Sequence, residues 1–154
     1  GAACTTLLAK KYINNSDPLL IANSDQYIKW NSSKVIYDIN SKNLDGAILT
    51  FEAIHPKWSY AKCDEKDFVT EVAEKKVISK NATVGVYFWK HGSDYVRSAE
   101  NMIKKNVRVN NEFYVCPVYN EFLLSKKKIK IYNVEEMHGL GTPEDLNNFL
   151  RKLK

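Results

Sequence analysis

Three short apolar runs, each closed off by turn-forming residues, limit what this chain can fold into. Leu19-Leu20-Ile21-Ala22 follows Pro18 and runs straight into Asn23-Ser24-Asp25-Gln26. Ala47-Ile48-Leu49-Thr50-Phe51 opens behind Asp45-Gly46, and Thr83-Val84-Gly85-Val86-Tyr87-Phe88-Trp89 is the longest. Apolar runs of this kind, without alternation, read as strands buried on both faces, as in parallel sheets. Helical spacing lies between the first two, where Asn31-Ser32-Ser33 is an N-terminal cap for a helix carrying Val35, Ile36 and Ile39. Helix alternating with buried strand is the rhythm of a sheet covered on both sides. The expected class is α/β, in three layers.

The remaining elements follow by the same logic. Cys4, Leu7, Leu8 and Tyr12 share one face of a first helix. Trp58–Lys62 and Phe68–Glu74 alternate around Asp64-Glu65-Lys66-Asp67, an antiparallel hairpin beside the sheet. Tyr95, Val96, Ala99, Met102 and Ile103 form one helical stripe, and Val115, Val118, Tyr119, Phe122 and Leu123 the next, with Pro117 in its first turn. Lys128–Tyr132 reads as an edge strand. Thr142 caps a last helix with Pro143 at its first position, and Leu146, Phe149, Leu150 and Leu153 are its expected buried face.

The 154 residues suffice for one domain with a proper core, spanning 1–154. A composition 44% hydrophobic and 27% charged excludes disorder and a disulfide scaffold. Cys4, Cys63 and Cys116 are odd in number and far apart, so neither disulfides nor a zinc site is expected. No run is long enough to span a membrane and no signal peptide is evident, so a cytoplasmic protein with reduced thiols is expected. The net charge of +5 is mild. Its dense clusters, Lys104-Lys105 and Lys126-Lys127-Lys128, fall at expected helix ends, where cations complement the dipole, and no nucleic-acid partner is expected. Asp25, at the end of a strand, is placed either to hold Mg²⁺ at a crevice or simply to open a turn.

Four pieces stand in an order that resembles a known family: Gly1-Ala2-Ala3 opening a helix, Asn23-Ser24-Asp25 ending a strand, Glu74-Lys75-Lys76 before Thr83-Val84-Gly85-Val86-Tyr87, and Gly141-Thr142-Pro143-Glu144-Asp145-Leu146 beginning the last helix. Together they resemble the sugar-phosphate nucleotidyltransferases, the nucleotide-sugar pyrophosphorylases. The resemblance implies a Rossmann-like, glycosyltransferase-A-like mixed sheet with an added antiparallel hairpin. It implies transfer of a nucleotidyl group from a nucleoside triphosphate to a sugar 1-phosphate or similar small molecule, with release of pyrophosphate and with Mg²⁺ as cofactor. A place in nucleotide-sugar and cell-surface polysaccharide synthesis is implied with it. By position, Gly1, Ala2 and Ala3 would lie against the nucleobase, and Asp25 would bind the metal. Glu74 and Lys75 would contact sugar and phosphate, Gly85 would line the sugar pocket, and Glu112 would be a looser sugar contact.

Two departures qualify the match. Gly139 stands where the family places a second metal carboxylate, so either another group completes the metal shell or the metal is held differently. The family's glycine-rich triphosphate loop is also absent. None of the six glycines sits in a glycine-rich run between a strand and a helix. The expectation is therefore that these residues are the later part of a nucleotidyltransferase domain in a longer polypeptide, or that the missing first strands come from elsewhere; alone they are expected to be inactive and to self-associate through the exposed sheet edge. A nucleotide-sugar glycosyltransferase, or a non-catalytic domain retaining the fold, is the alternative.

Overall fold

A computed structural model describes residues 1–153. The amphipathic start of the chain forms two short helices, α1 (Ala2–Leu7) and α2 (Lys10–Ile13), separated by non-helical backbone at Ala9 (φ −85°, ψ 9°). That break undoes the expected single face. Cys4 and Leu7 pack on the core, while Leu8 and Tyr12 are exposed.

The chain continues through β1 (Leu19–Ala22), β2 (Gln26–Lys29), α3 (Ser32–Ser41), β3 (Gly46–Glu52), β4 (Ser59–Cys63), β5 (Val69–Glu74) and β6 (Asn81–Trp89). It closes with α4 (Gly92–Lys104), α5 (Val118–Leu123), β7 (Ile129–Asn133), β8 (Glu136–Gly139) and α6 (Pro143–Lys152). Both expected caps form. Asn31 Oδ1 accepts the Lys34 N–H at 2.9 Å, and Thr142 Oγ1 accepts the Asp145 N–H at 3.1 Å, each quenching a helix-end donor.

Six strands form a mixed sheet in the order β5-β4-β6-β3-β7, with β1 also paired to β6. Only β3 and β7 run parallel; every other pairing is antiparallel. The hairpin β4–β5 is joined to this sheet through the Tyr60–Ala82 pair. β3 follows β6 along one edge from Gly46–Trp89 to Glu52–Asn81, so β1 and β4 must share the other edge. β1 takes Val86–Trp89 and β4 takes Ala82, which leaves a gap across Thr83–Gly85.

The apolar runs of β3 and β6 are continuous because both faces are covered. On one face Ile48, Tyr87 and Trp89 pack against α4 and α5; on the other Ala47, Leu49, Val84 and Val86 pack against Val35 and Ile39 of α3. The first face is aromatic at its centre. Trp89 stacks on Tyr119 with ring centroids 4.0 Å apart, and the Tyr119 hydroxyl donates towards the carbonyls of Phe88 (2.8 Å) and Ala47 (3.1 Å).

β1 departs from the expected doubly buried parallel strand. It is antiparallel and alternates in burial, with Leu20 54% exposed, because among the described residues only β6 pairs with it. The stripe on α5 begins later than its spacing suggests, since Pro117 caps the helix and Val115 lies ahead of it. Leu146 and Leu150 of α6, and Leu153 just after it, are exposed rather than buried. This helix lies on a two-stranded ribbon, β2–β8, that offers Phe149 an aromatic seat between Tyr27 and His138. The ribbon has no counterpart in the sequence reading, because its two polar segments of four residues each carry too little pattern. Among the described residues no helix is long and apolar enough to cross a membrane.

Tyr119→Phe should keep the fold but lower its stability by about 1–2 kcal/mol, since the buried Phe88 carbonyl loses its side-chain donor. Urea unfolding of both forms measures this. An unchanged midpoint would show that the hydroxyl contributes nothing.

Candidate functional site in the gap beside the central strand

The gap between the end of β1 and the start of β4 opens into a cavity of about 340 Å³. Ala2, Glu74, Lys75 and Gly85 line it, brought together from α1, β5 with the residue that follows it, and β6. Gly1, Ala3, Asp25 and Glu112 are not among its lining residues.

Gly85 has φ +71°, a left-handed conformation that a side chain resists. Asn23 leans over it. A Cβ at position 85 would stand 2.6 Å from Asn23 Cγ, while the Asn23 N–H donates to the Gly85 carbonyl at 2.9 Å. The glycine thus makes room for a carboxamide at the cavity floor. Close approach of a partner to this strand glycine was legible from sequence; that the partner is Asn23 was not.

Glu74 is half-buried, and Ser59 Oγ donates to its Oε2. Burial pushes its carboxyl above the ordinary range, opposed by the Ser59 hydrogen bond and the neighbouring Lys75 charge. Lys75 has left-handed backbone at φ +53°, uncommon outside glycine. Its N–H donates to the Trp58 carbonyl at 3.1 Å, and its Nζ donates to the Tyr114 hydroxyl at 2.8 Å. That hydrogen bond, ahead of the charges of Glu74 and Glu112, raises the lysine above its usual value. The pair is therefore divided, an acid drawn inward and an exposed cation held at the rim by Tyr114.

Gly1 and Ala3 are fixed by backbone. The Ala3 N–H donates to the Phe113 carbonyl at 3.0 Å, and a Cβ on Gly1 would stand 2.6 Å from that same oxygen. Glu112 flanks Gly1 and bridges Val109 outside the cavity. Asp25 is exposed. Its carbonyl accepts the Leu140 N–H at 2.8 Å, and a Cβ on Gly141 would stand 2.6 Å from its Oδ2. Asp145 completes this corner, its Oδ2 lying 3.8 Å from where a Gly139 Cβ would be. Among the described residues, no group of three or more His, Cys, Asp or Glu side chains converges as a metal site.

Gln26, Trp58, Ser59 and Tyr114 also line the cavity and were not singled out from the sequence. Gln26 sits next to Asp25 at the strand end, a position that could have flagged it; Trp58 and Tyr114 arrive through long-range topology and left no local signal. Cys116 is buried at the cavity wall, and desolvation raises its thiol strongly, so it is a packing residue rather than a nucleophile.

Glu74 makes stability depend on pH. Because its folded pKa lies above its ordinary 4.5, the folded protein keeps a proton that the unfolded chain has released. Stability should therefore fall as pH rises from 4.5 through the folded value, and then level off. In Glu74→Gln this loss should disappear. Thermal unfolding of both proteins between about pH 4 and 7 tests it, and parallel curves would refute it.

No protein-family model matches the chain, and no curated protein sequence does. Solved structures do. A nucleoside-diphosphate-sugar pyrophosphorylase from Vibrio cholerae RC9 superposes with a TM-score of 0.77 at 23% identity, over 96% of this chain and 61% of its own. Apo UDP-glucose pyrophosphorylase gives 0.78 at 14% identity, over 100% and 61%. A putative glucose-1-phosphate thymidylyltransferase from Bacillus anthracis, in complex with a sucrose, gives 0.73 at 14% identity, over 96% and 58%. The chain thus spans about three-fifths of the length of these structures. Its fold is that of the nucleotide-sugar pyrophosphorylases.

Proposed function

We propose that the cavity binds the phosphorylated acceptor in a sugar nucleotidyltransferase reaction. In that reaction a phosphate oxygen of a sugar 1-phosphate attacks the α-phosphorus of a nucleoside triphosphate, and pyrophosphate leaves. The observation that carries this reading is the gathering of Ala2, Glu74, Lys75 and Gly85 around one cavity, in a fold shared with pyrophosphorylases.

Such chemistry depends on positioning and charge neutralisation more than on a covalent intermediate. Lys75, its Nζ held at the rim by the Tyr114 hydroxyl, meets the acceptor phosphate with its positive charge. Glu74 takes a sugar hydroxyl on Oε1, because Ser59 occupies Oε2. The Ala2 end of α1 lies on the nucleotide side. No general base is required, as the attacking oxygen is already anionic.

Asp25 and Asp145 fit Mg²⁺ by donor chemistry, being hard oxygen ligands packed against Gly141 and Gly139, with Asp145 Oδ2 also accepting the Thr142 hydroxyl at 2.7 Å. Asp25 would hold the ion, and Asp145 is the carboxylate that stands beside Gly139. Mg²⁺, when bound, would offset negative charge on the reacting phosphates. This reading assigns to the chain the acceptor side of the reaction.

Two substitutions separate the roles. Lys75→Ala should weaken glucose 1-phosphate about tenfold or more while changing nucleoside triphosphate affinity little. Calorimetric titration with each ligand decides it, and equal losses would place the lysine elsewhere. Asp25→Asn should abolish Mn²⁺ binding, followed by electron paramagnetic resonance, with unfolding unchanged. Undiminished Mn²⁺ affinity would remove Asp25 from the metal site.

A further inference from the structure

A second cavity, of about 310 Å³, lies beyond the first. Residues of β8 and α6 line it, among them Gly139 and Asp145 of the corner to which Asp25 belongs. The two cavities have Lys57 and Trp58 in common, and these form the wall between them. The wall is braced. Trp58 stands edge-on to Phe51 with ring centroids 5.3 Å apart, and His55 accepts the Lys57 N–H on Nδ1 (3.2 Å) and the Trp58 N–H on its carbonyl (3.3 Å). The Lys57 ammonium lies over the Trp58 ring, 4.7 Å from its centroid.

The other lysines of the two cavities are engaged. Lys75 Nζ donates to the Tyr114 hydroxyl, and Lys152 Nζ meets Glu136 Oε2 at 3.2 Å. Lys57 is exposed and makes no ion pair among the described residues. A lysine is a point charge on a flexible stem, so from the wall it can serve an anion on either side. On the acceptor reading, the sugar phosphate occupies the first cavity, and the carboxylate corner sets the nucleotide phosphates beside the second. The new bond then forms at the junction, where negative charge is most concentrated. Resting on that reading, we propose that Lys57 is a further catalytic residue, its ammonium contacting the acceptor phosphate on one side of the wall and the nucleotide phosphates on the other. As the acceptor oxygen attacks the α-phosphorus and pyrophosphate departs, Lys57 offsets charge on both partners and neither gives nor takes a proton.

The test titrates the 154-residue chain by calorimetry with glucose 1-phosphate and, separately, with inorganic pyrophosphate, which stands for the nucleotide phosphates. Lys57→Ala should weaken both ligands about tenfold, and Lys57→Gln, of similar length without the charge, should do the same. Lys57→Arg should bind both as the parent chain does. The melting temperature should stay unchanged in all three, since the side chain is exposed. Lys75→Ala, by contrast, should weaken glucose 1-phosphate alone. A loss shared by the two ligands, at constant stability and reversed by arginine, is a pattern that a residue serving only the wall does not give. Loss for one ligand alone, loss for neither, loss that arginine does not reverse, or no pyrophosphate binding to the parent chain overturns the proposal. If any of these occurs while Lys75→Ala still weakens glucose 1-phosphate, this inference falls and the acceptor reading stands. If Lys75→Ala leaves glucose 1-phosphate unchanged as well, both fall.

Discussion

The hydrogen-bonded edge of β6 is the constraint on which the other features depend. β3 follows one side of this strand almost without interruption, whereas β1 and β4 divide the other between them. Two strands that meet end to end along a third cannot pair across the junction. The backbone of Thr83–Gly85 is thereby left for side chains to approach. Gly85 turns left-handed at this point, and Asn23, the first residue past β1, fills the space that a Cβ would have taken. The cavity thus results from sheet topology, with rigid strands as its walls. That is a better support for a positioned site than a loop would be.

Its electrostatics follow from the same geometry. Glu74 comes from the second hairpin strand and is drawn towards the gap, where partial desolvation favours its protonated form. Lys75, one residue on, leaves the strand through a left-handed turn that costs about 1–2 kcal/mol for a residue with a Cβ. The hydrogen bond from its N–H to Trp58 and the reach of its Nζ to Tyr114 help hold that turn. A regular strand would have sent the lysine to the face opposite the glutamate. The unusual backbone brings acid and base to the same opening at different depths.

Sequence made visible what local chemistry decides. The caps at Asn31 and Thr142, the buried strands β3 and β6 and the hairpin were all legible, since each rests on its own residues. Glu74, Lys75 and Gly85, each singled out in the sequence, line one cavity, while Gly1, Ala3, Asp25 and Glu112 do not. What stayed hidden depends on pairing between distant segments. β1 has the composition of a buried strand, yet with one described partner it is half-exposed. The apolar spacing of α6 promises a buried face, but a helix buries only what its neighbour can receive, and the β2–β8 ribbon receives Phe149. Trp58 and Tyr114 are ordinary aromatic residues until folding brings them to the same opening.

The β2–β8 ribbon, with its four paired positions from Gln26–Gly139 to Lys29–Glu136, also ties the Asp25 corner to the cavity. Leu140 holds its near end through the Asp25 carbonyl, and Glu135 its far end through Lys29. Asp25 and Gln26 are consecutive residues, one set against the glycine corner and the other in the cavity. Any shift of this end of the ribbon that moves the Asp25 carboxylate must move the Gln26 side chain in the cavity by a similar distance. Adjustment of the one is therefore inherited by the other. A ligand accommodated by shifting this ribbon would be felt at the carboxylate, whereas one accommodated on the Trp58 side of the opening would leave it in place.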